Sequence, residues 1–479
     1  MPEKWQNKTM NKDAASKLAA RNSARSHRPT SNSFVKYIGS NWAPDKSKLP
    51  LRHEVAPYAA KRRSAVAKAF AGKIIIIEAG ESITRSNDTE YRYRPHSAFA
   101  HLTGWGSATV PGSVLVIDAS GKTAKSTLYF RETAGKNTDE FFANSAIGEF
   151  WVGARPGLKF VQALLGINTK SLKSYAADLA KFDKKKIVTL EKSVKLVEFV
   201  SELRLIKDDY EIAEMKKSVA ASIKGFESIV KVLPKAIKHP RGERLVEAAF
   251  FSKARSDGND LGYETIAAAG EHACTLHWII NDGPVKPGDL LLVDAGVEVD
   301  SLYTADVTRT IPINGKFSKV QKEIYLAVLE AADAVFAMAK PGVKYSEMHA
   351  TAMRVIAEKT KGWGLYKGTV EQSLDPKNQW HRRWMIHGTG HHLGLDVHDC
   401  AQARREMYHD HVLEEGMIFT IEPGLYFHKD DLLVPKEFRG IGVRIEDDVL
   451  VTKTGVVNLT KKLPRKPKEI EAWMKKLKG

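Results

Sequence analysis

Two carboxylates set inside aliphatic runs constrain this chain most. The segment Leu290–Thr310 reads Leu-Leu-Leu-Val-Asp-Ala-Gly-Val-Glu-Val-Asp-Ser-Leu-Tyr-Thr-Ala-Asp-Val-Thr-Arg-Thr, two strand-like stretches joined near Asp300 and Ser301. Asp294 and Asp306 lie symmetrically about residue 300. An antiparallel hairpin then makes them opposite neighbours on one face, roughly 5 Å apart. Burial penalises each charge, and each carboxylate repels the other. The pair needs a shared proton, a basic partner or a cation. Taken singly, either acid reads as a turn cap.

The pattern recurs downstream. Met417–Tyr426 and Gly440–Leu450 are both strand-like. Alternation puts Val443 and Ile445 on one face and Arg444 and Glu446 on the other. Glu422 precedes Pro423, which favours extended backbone. A second hairpin with a longer loop brings Glu422 beside Glu446. Between the hairpins lies His387-Gly-Thr-Gly-His-His-Leu-Gly-Leu-Asp-Val-His398, with three glycines in its first eight residues and four histidines in all. One such histidine alone reads as a core or surface residue. The cluster reads as metal ligands and proton-transfer groups. Four carboxylates with histidine and no thiolate form an oxygen-rich site for two divalent ions, with Mn²⁺ favoured over zinc and Co²⁺ and Fe²⁺ as alternatives. Such a pair, about 3.5–4 Å apart, ionises a bridging water at neutral pH and polarises a carbonyl. Hydrolysis of a carbonyl-containing bond is the expected reaction class.

The chain has 479 residues and a net charge of +17. A basic balance of this size raises nucleic acid as a partner, so its location matters. Residues 1–73 hold 16 Lys and Arg against 4 Asp and Glu, residues 461–479 hold 8 against 2, and the stretch between is near neutral. The charge therefore reads as two solvated tails, and nucleic acid is not an expected partner. The Ser-rich basic start leaves a mitochondrial transit peptide as a further option. The two cysteines, Cys274 and Cys400, make no disulfide framework, which suits a reducing compartment and a cytoplasmic location. No apolar run is long enough to span a membrane.

Along the chain, residues 1–73 read as a partly ordered extension with an amphipathic patch around Phe34–Trp42. Strand-like runs at Lys73–Glu78, Ser113–Asp118 and Ser126–Phe130, followed by helical patterns at 172–183 and 192–204, suggest an α/β domain over 74–205. A helix capped by Asp208 or Asp209 opens a second domain over 208–460, where helices mix with long β stretches at 288–313, 415–427 and 440–452. That mixture argues an α+β class. Residues 461–479 close the chain as a basic tail.

The stretches Leu276–Trp278, Val293–Gly296, Ala305–Thr310, His387–Asp399, Thr420–Tyr426 and Val443–Asp448 resemble, in order, those of the pita-bread metallopeptidases, closest to aminopeptidase P and prolidase. Tyr91–Gly104 resembles the N-terminal domain of the same enzymes. The resemblance implies a pita-bread catalytic domain after an α/β domain, cleavage of an N-terminal residue that precedes proline, and a homo-oligomer, dimer or tetramer. It implies that Asp294 chelates one ion, that Asp306 and Glu446 bridge two, and that His391 and Glu422 complete the other shell. Glu422 would also be the general base. His277 and His398 match histidines at the substrate carbonyl and developing oxyanion, and His387 one lining the proline pocket. Arg444 and Tyr426 match supporting or substrate-contacting positions, and Arg204 a substrate-binding arginine. Two readings compete: a prolidase restricted to dipeptides, and a non-catalytic pita-bread binding module. The retained set of five ligands argues against the second.

Overall fold

The computed structural model describes residues 31–44, 48–87 and 89–478, so residues 1–30 and 45–47 of the basic N-terminal stretch lie outside the described residues. The chain divides into two compact units, one of Met1–Pro57, Phe70–Phe99 and Thr109–Ile187, the other of Tyr58–Ala69, Ala100–Ala108 and Val188–Gly479. No described helix is long and apolar enough to cross a membrane.

In the first unit the strand-like runs form a mixed five-stranded sheet. Its order is Asn168–Ser171, Lys125–Phe130, Val114–Asp118, Ile74–Glu78 and Ile187–Thr189. Ile74 to Ile77 are all buried, so the strand is covered on both faces, which explains an unbroken run of isoleucine in place of alternation. Ile74, Ile76, Val114, Val116 and Tyr129 share a core with Tyr175 and Leu179 of the short helix Tyr175–Leu179.

The second unit repeats one scheme, a helix pair followed by a β hairpin. The first pair is α1 (Asp209–Ala236) and α2 (Gly242–Asp257). Asp208 caps α1 through a capping box: its carboxylate accepts from the Glu211 amide at 3.1 Å while Glu211 accepts from the Asp208 amide at 3.0 Å. The strands β1 (Ile266–Ala269), β2 (Leu290–Asp294) and β3 (Thr308–Pro312) follow, with β2 in the middle. The second helix pair is α3 (Lys319–Met338) and α4 (Tyr345–Gly362). The second hairpin comprises β4 (Ile418–Ile421) with β5 (Gly424–Phe427) on one arm and β6 (Ile441–Arg444) with β7 (Asp447–Val451) on the other.

Three expectations change. First, the 290–312 hairpin turns about residue 301, so Asp294 faces Thr308 rather than Asp306. The turn causes this. The Leu302 amide donates to Val299 O, the Val299 amide donates to Tyr303 O, and Leu302 takes a left-handed φ of 74°. The shift keeps both acids on one face, because side chains alternate with period two. Second, residues 461–479 are not a solvated tail. Helix α5 (Pro467–Lys478) buries Ile470 and Met474 completely, and Leu463 is buried before it. Third, the basic extension ends in a helix, Ala56–Ala69, whose Arg62 and Arg63 are buried. Arg62 donates to Asp208 Oδ2 at 2.7 Å, and Arg63 to Leu102 O at 2.8 Å.

Candidate metal centre and active site

Each hairpin delivers acids to one place. In the second hairpin, β4 with β7 and β5 with β6 share one register, Ile421 facing Asp447 and Gly424 facing Arg444. Glu422 and Glu446 are the next pair inward and therefore oppose each other, as the expected second hairpin requires. The two hairpins are stitched together beside them. The Glu446 amide donates to Thr308 O at 3.1 Å, and the Thr308 hydroxyl donates to Glu446 Oε2 at 2.7 Å. The glycine-rich loop packs on β4, with the Thr420 amide donating to His391 O at 2.9 Å. Gly390 permits this, since a Cβ there would lie 2.1 Å from Thr420 O.

The His391 ring thereby faces the acids. Its Nε2 lies 3.1 Å from Asp306, 3.7 Å from Glu422 and 4.0 Å from Glu446. Asp306, His391 and Glu446 each offer a donor atom within 4.8 Å of the other two. Nine of the eleven candidate residues line a single cavity of about 360 Å³; Tyr426 and Arg204 are the exceptions. Tyr426 stands directly behind the wall, 2.7 Å from His387 Nε2 and 3.1 Å from Arg444 Nη1. Arg204 sits elsewhere, its Nε donating to Asp399 at 2.8 Å.

The electrostatics show what the site lacks. Burial and the neighbouring carboxylates hold Glu446 well above the usual range, and burial pushes Glu422 up to about 7 against the pull of His391. Burial also raises Asp294, although Arg444 donates to it at 2.5 Å. Burial would lower His391, but the Asp306 carboxylate raises it to about 9. A cluster that favours extra protons is a cluster short of positive charge. Four carboxylates and an imidazole, with no thiolate among them, fit hard divalent ions. His387 is different. Its Nδ1 lies 2.7 Å from Gly388 O, a pure acceptor, so Nδ1 carries the proton and Nε2 accepts from the Tyr426 hydroxyl. Burial and the Arg444 charge push it down to about 3, so it stays neutral.

Sequence reasoning missed three supporting groups. The Tyr263 hydroxyl sits between the first two acids, 2.6 Å from Asp294 and also bonded to Asp306. Asp448 accepts from the Asp306 amide at 3.3 Å. Buried Arg309 donates to Glu446 O at 2.6 Å and to Asp447 at 2.6 Å, fixing the strand that carries Glu446. Asp448 and Arg309 belong to strand motifs already singled out. No spacing in the sequence ties Tyr263 to the acids.

Comparison with known proteins identifies the family. Residues 213–453 match the model of metallopeptidase family M24, and residues 58–189 match the aminopeptidase P N-terminal domain. The chain is 46% identical to Xaa-Pro aminopeptidase 1 of Streptomyces coelicolor over 473 residues, covering 94% of this chain and 93% of that protein. It is 33% identical to the Xaa-Pro aminopeptidase of Escherichia coli over 439 residues, covering 86% and 96%. Among solved structures, E. coli aminopeptidase P with the inhibitor Pro-Leu superposes with a TM-score of 0.77 at 30% identity, covering 89% of this chain and 99% of that one. A zinc-substituted, product-bound form of the E. coli enzyme gives a TM-score of 0.76 at 29% identity, covering 89% and 100%. The two-domain expectation, an α/β domain followed by a pita-bread catalytic domain, holds in these matches. With both domains matched in order and the candidate ligands converging in one cavity, the chain belongs to metallopeptidase family M24, in its aminopeptidase P branch.

Proposed function

We propose that this chain hydrolyses the bond between an N-terminal residue and a following proline, using two divalent ions, preferentially Mn²⁺. The observation that carries this reading is the set of five ligand candidates converging on one cavity with three further histidines. Asp294 would hold one ion, Asp306 and Glu446 both, and His391 with Glu422 the other. Ions bound there supply Lewis-acid polarisation of the scissile carbonyl and acidify water towards neutrality.

The protein's own groups do the rest. Glu422 takes a proton from the attacking water and passes it to the departing proline nitrogen. His277 and His398, both on the cavity wall, donate to the carbonyl oxygen as charge develops on it. The Arg444–Tyr426–His387 chain fixes a neutral imidazole beside the proline ring. An Xaa-Pro bond has no N–H, so recognition rests on ring shape and on the fixed φ of proline. The substrates are peptides with proline second. A homo-oligomer, dimer or tetramer, and a cytoplasmic location complete the reading, the latter supported by two buried free thiols, Cys274 and Cys400. Hydrolysis of Xaa-Pro-Yaa peptides by protein supplemented with Mn²⁺ tests it. No turnover after full metal loading would overturn it.

A further inference from the structure

His398 faces the cavity, yet among the described residues no hydrogen bond is made to its ring. The His391 ring packs edge-on against it, the ring centroids 4.4 Å apart. Its orientation therefore depends on its backbone. The next residue, Asp399, does not line the cavity and is 1% exposed. Two buried cations hold its carboxylate: Arg204 Nε at 2.8 Å and Lys207 Nζ at 3.5 Å. Arg204 also reaches Asp396 at 3.4 Å, so the guanidinium spans the loop on both sides of His398. The Asp399 carboxylate accepts from the Cys400 amide at 2.9 Å, and the Asp399 amide donates to His392 O at 2.9 Å, closing the loop onto the segment that carries His391. Gly394 leaves the room: a Cβ there would stand 2.3 Å from Asp399 Oδ2. Lys207 is anchored in turn, its amide donating to Gly416 O at 2.9 Å, just ahead of β4.

We infer that Asp399, clamped by Arg204 and Lys207, is a positioning residue that sets the His398 imidazole for hydrolysis, and that Arg204 acts through this clamp rather than by touching substrate. The inference rests on the proposed peptidase activity and on the role given to His398 there. A double-mutant cycle separates a positioning role from general damage, because a group acting only through His398 has nothing left to position once that ring is gone. The assay is Xaa-Pro-Yaa hydrolysis by Mn²⁺-loaded full-length protein, with residual rates read at high enzyme concentration. Asp399→Asn should lower kcat by about tenfold or more with KM changed less than about threefold, and should change kcat less than about twofold in a His398→Ala background. Metal content should be unchanged. Arg204→Lys keeps the buried charge but loses the planar fork, and should show a smaller kcat loss that also vanishes without His398. If Asp399→Asn does not fold, Arg204→Lys alone decides. Equal losses in both backgrounds, wild-type kcat in the folded variants, or loss of bound metal would overturn the inference. Failure of the peptidase reading would look different, since the wild type itself would be inactive.

Discussion

The protonation balance of the carboxylate cluster makes the metal-free protein unusually sensitive to alkali. Glu422 rises from 4.5 to about 7 in the fold, and His391 from 6.5 to about 9. A raised folded pKa means stability that is complete below the unfolded value and lost as pH climbs through the folded one. For Glu422 that window runs from about pH 4.5 to 7, and for His391 from about 6.5 to 9. Asp306, held low by His391, stays ionised throughout and adds no opposing slope there. The rise of Glu422 from 4.5 to about 7 is by itself worth on the order of 3 kcal/mol. For a unit of this size that is roughly 5–10 °C in Tm. The metal-loaded protein should behave oppositely, because its ligands bind metal only when deprotonated. Buried His387 and His392, both pushed down to about 3, oppose the metal-free fall below about pH 6.5, where unfolding lets them take up protons. Calorimetry of demetallated and Mn²⁺-loaded protein from about pH 7 to 9 therefore isolates the cluster. The demetallated Tm should fall across that range, and the gain on metal addition should grow. A demetallated Tm that rises there would refute the account of the cluster as short of positive charge.

Metal analysis of purified protein should find about two divalent ions per chain, removable by chelators, with activity restored best by Mn²⁺; full activity after exhaustive demetallation would contradict this. In metal-free protein Glu446→Gln should raise Tm by relieving repulsion, whereas Asp294→Ala should lower Tm, through a loss of about 3–5 kcal/mol of stability, because it strands the buried Arg444 guanidinium; thermal scans of both variants check the contrast. Deleting residues 1–30 should leave turnover of small peptides unchanged in a steady-state assay, while deleting residues 461–479 removes the fully buried Ile470 and Met474 and should destabilise the catalytic unit by several kcal/mol in denaturant titration.

Much of the site was legible because its chemistry conflicts with its surroundings. Acids at Asp294, Asp306, Glu422 and Glu446 stand inside aliphatic strands, where each needs a proton, a basic partner or a cation, and a second hairpin was enough to bring Glu422 beside Glu446. The register of the first hairpin was not legible, because it hangs on Leu302 adopting a left-handed backbone that leucine rarely takes. Tyr263 was invisible for another reason: a tyrosine 31 residues before Asp294 carries no periodic signal. The C-terminal helix had a signal that the charge count masked. Ile470, Trp473, Met474 and Leu477 recur at helical spacing after Pro467, and that stripe lies against the core of the catalytic unit. Arg204 shows the limit of reading by position, since its carboxylate partners lie some 190 residues downstream.

The central claim is tested most directly by kcat/KM for matched Xaa-Pro-Yaa and Xaa-Ala-Yaa peptides with Mn²⁺-loaded protein. Apolar contact with the ring gives about 10–200-fold discrimination, and misalignment of other peptides against the attacking water adds to it. The proline series should be favoured by at least about a hundredfold. Equal cleavage of the two series would remove the proline-specific reading while leaving a metal-dependent hydrolase in place.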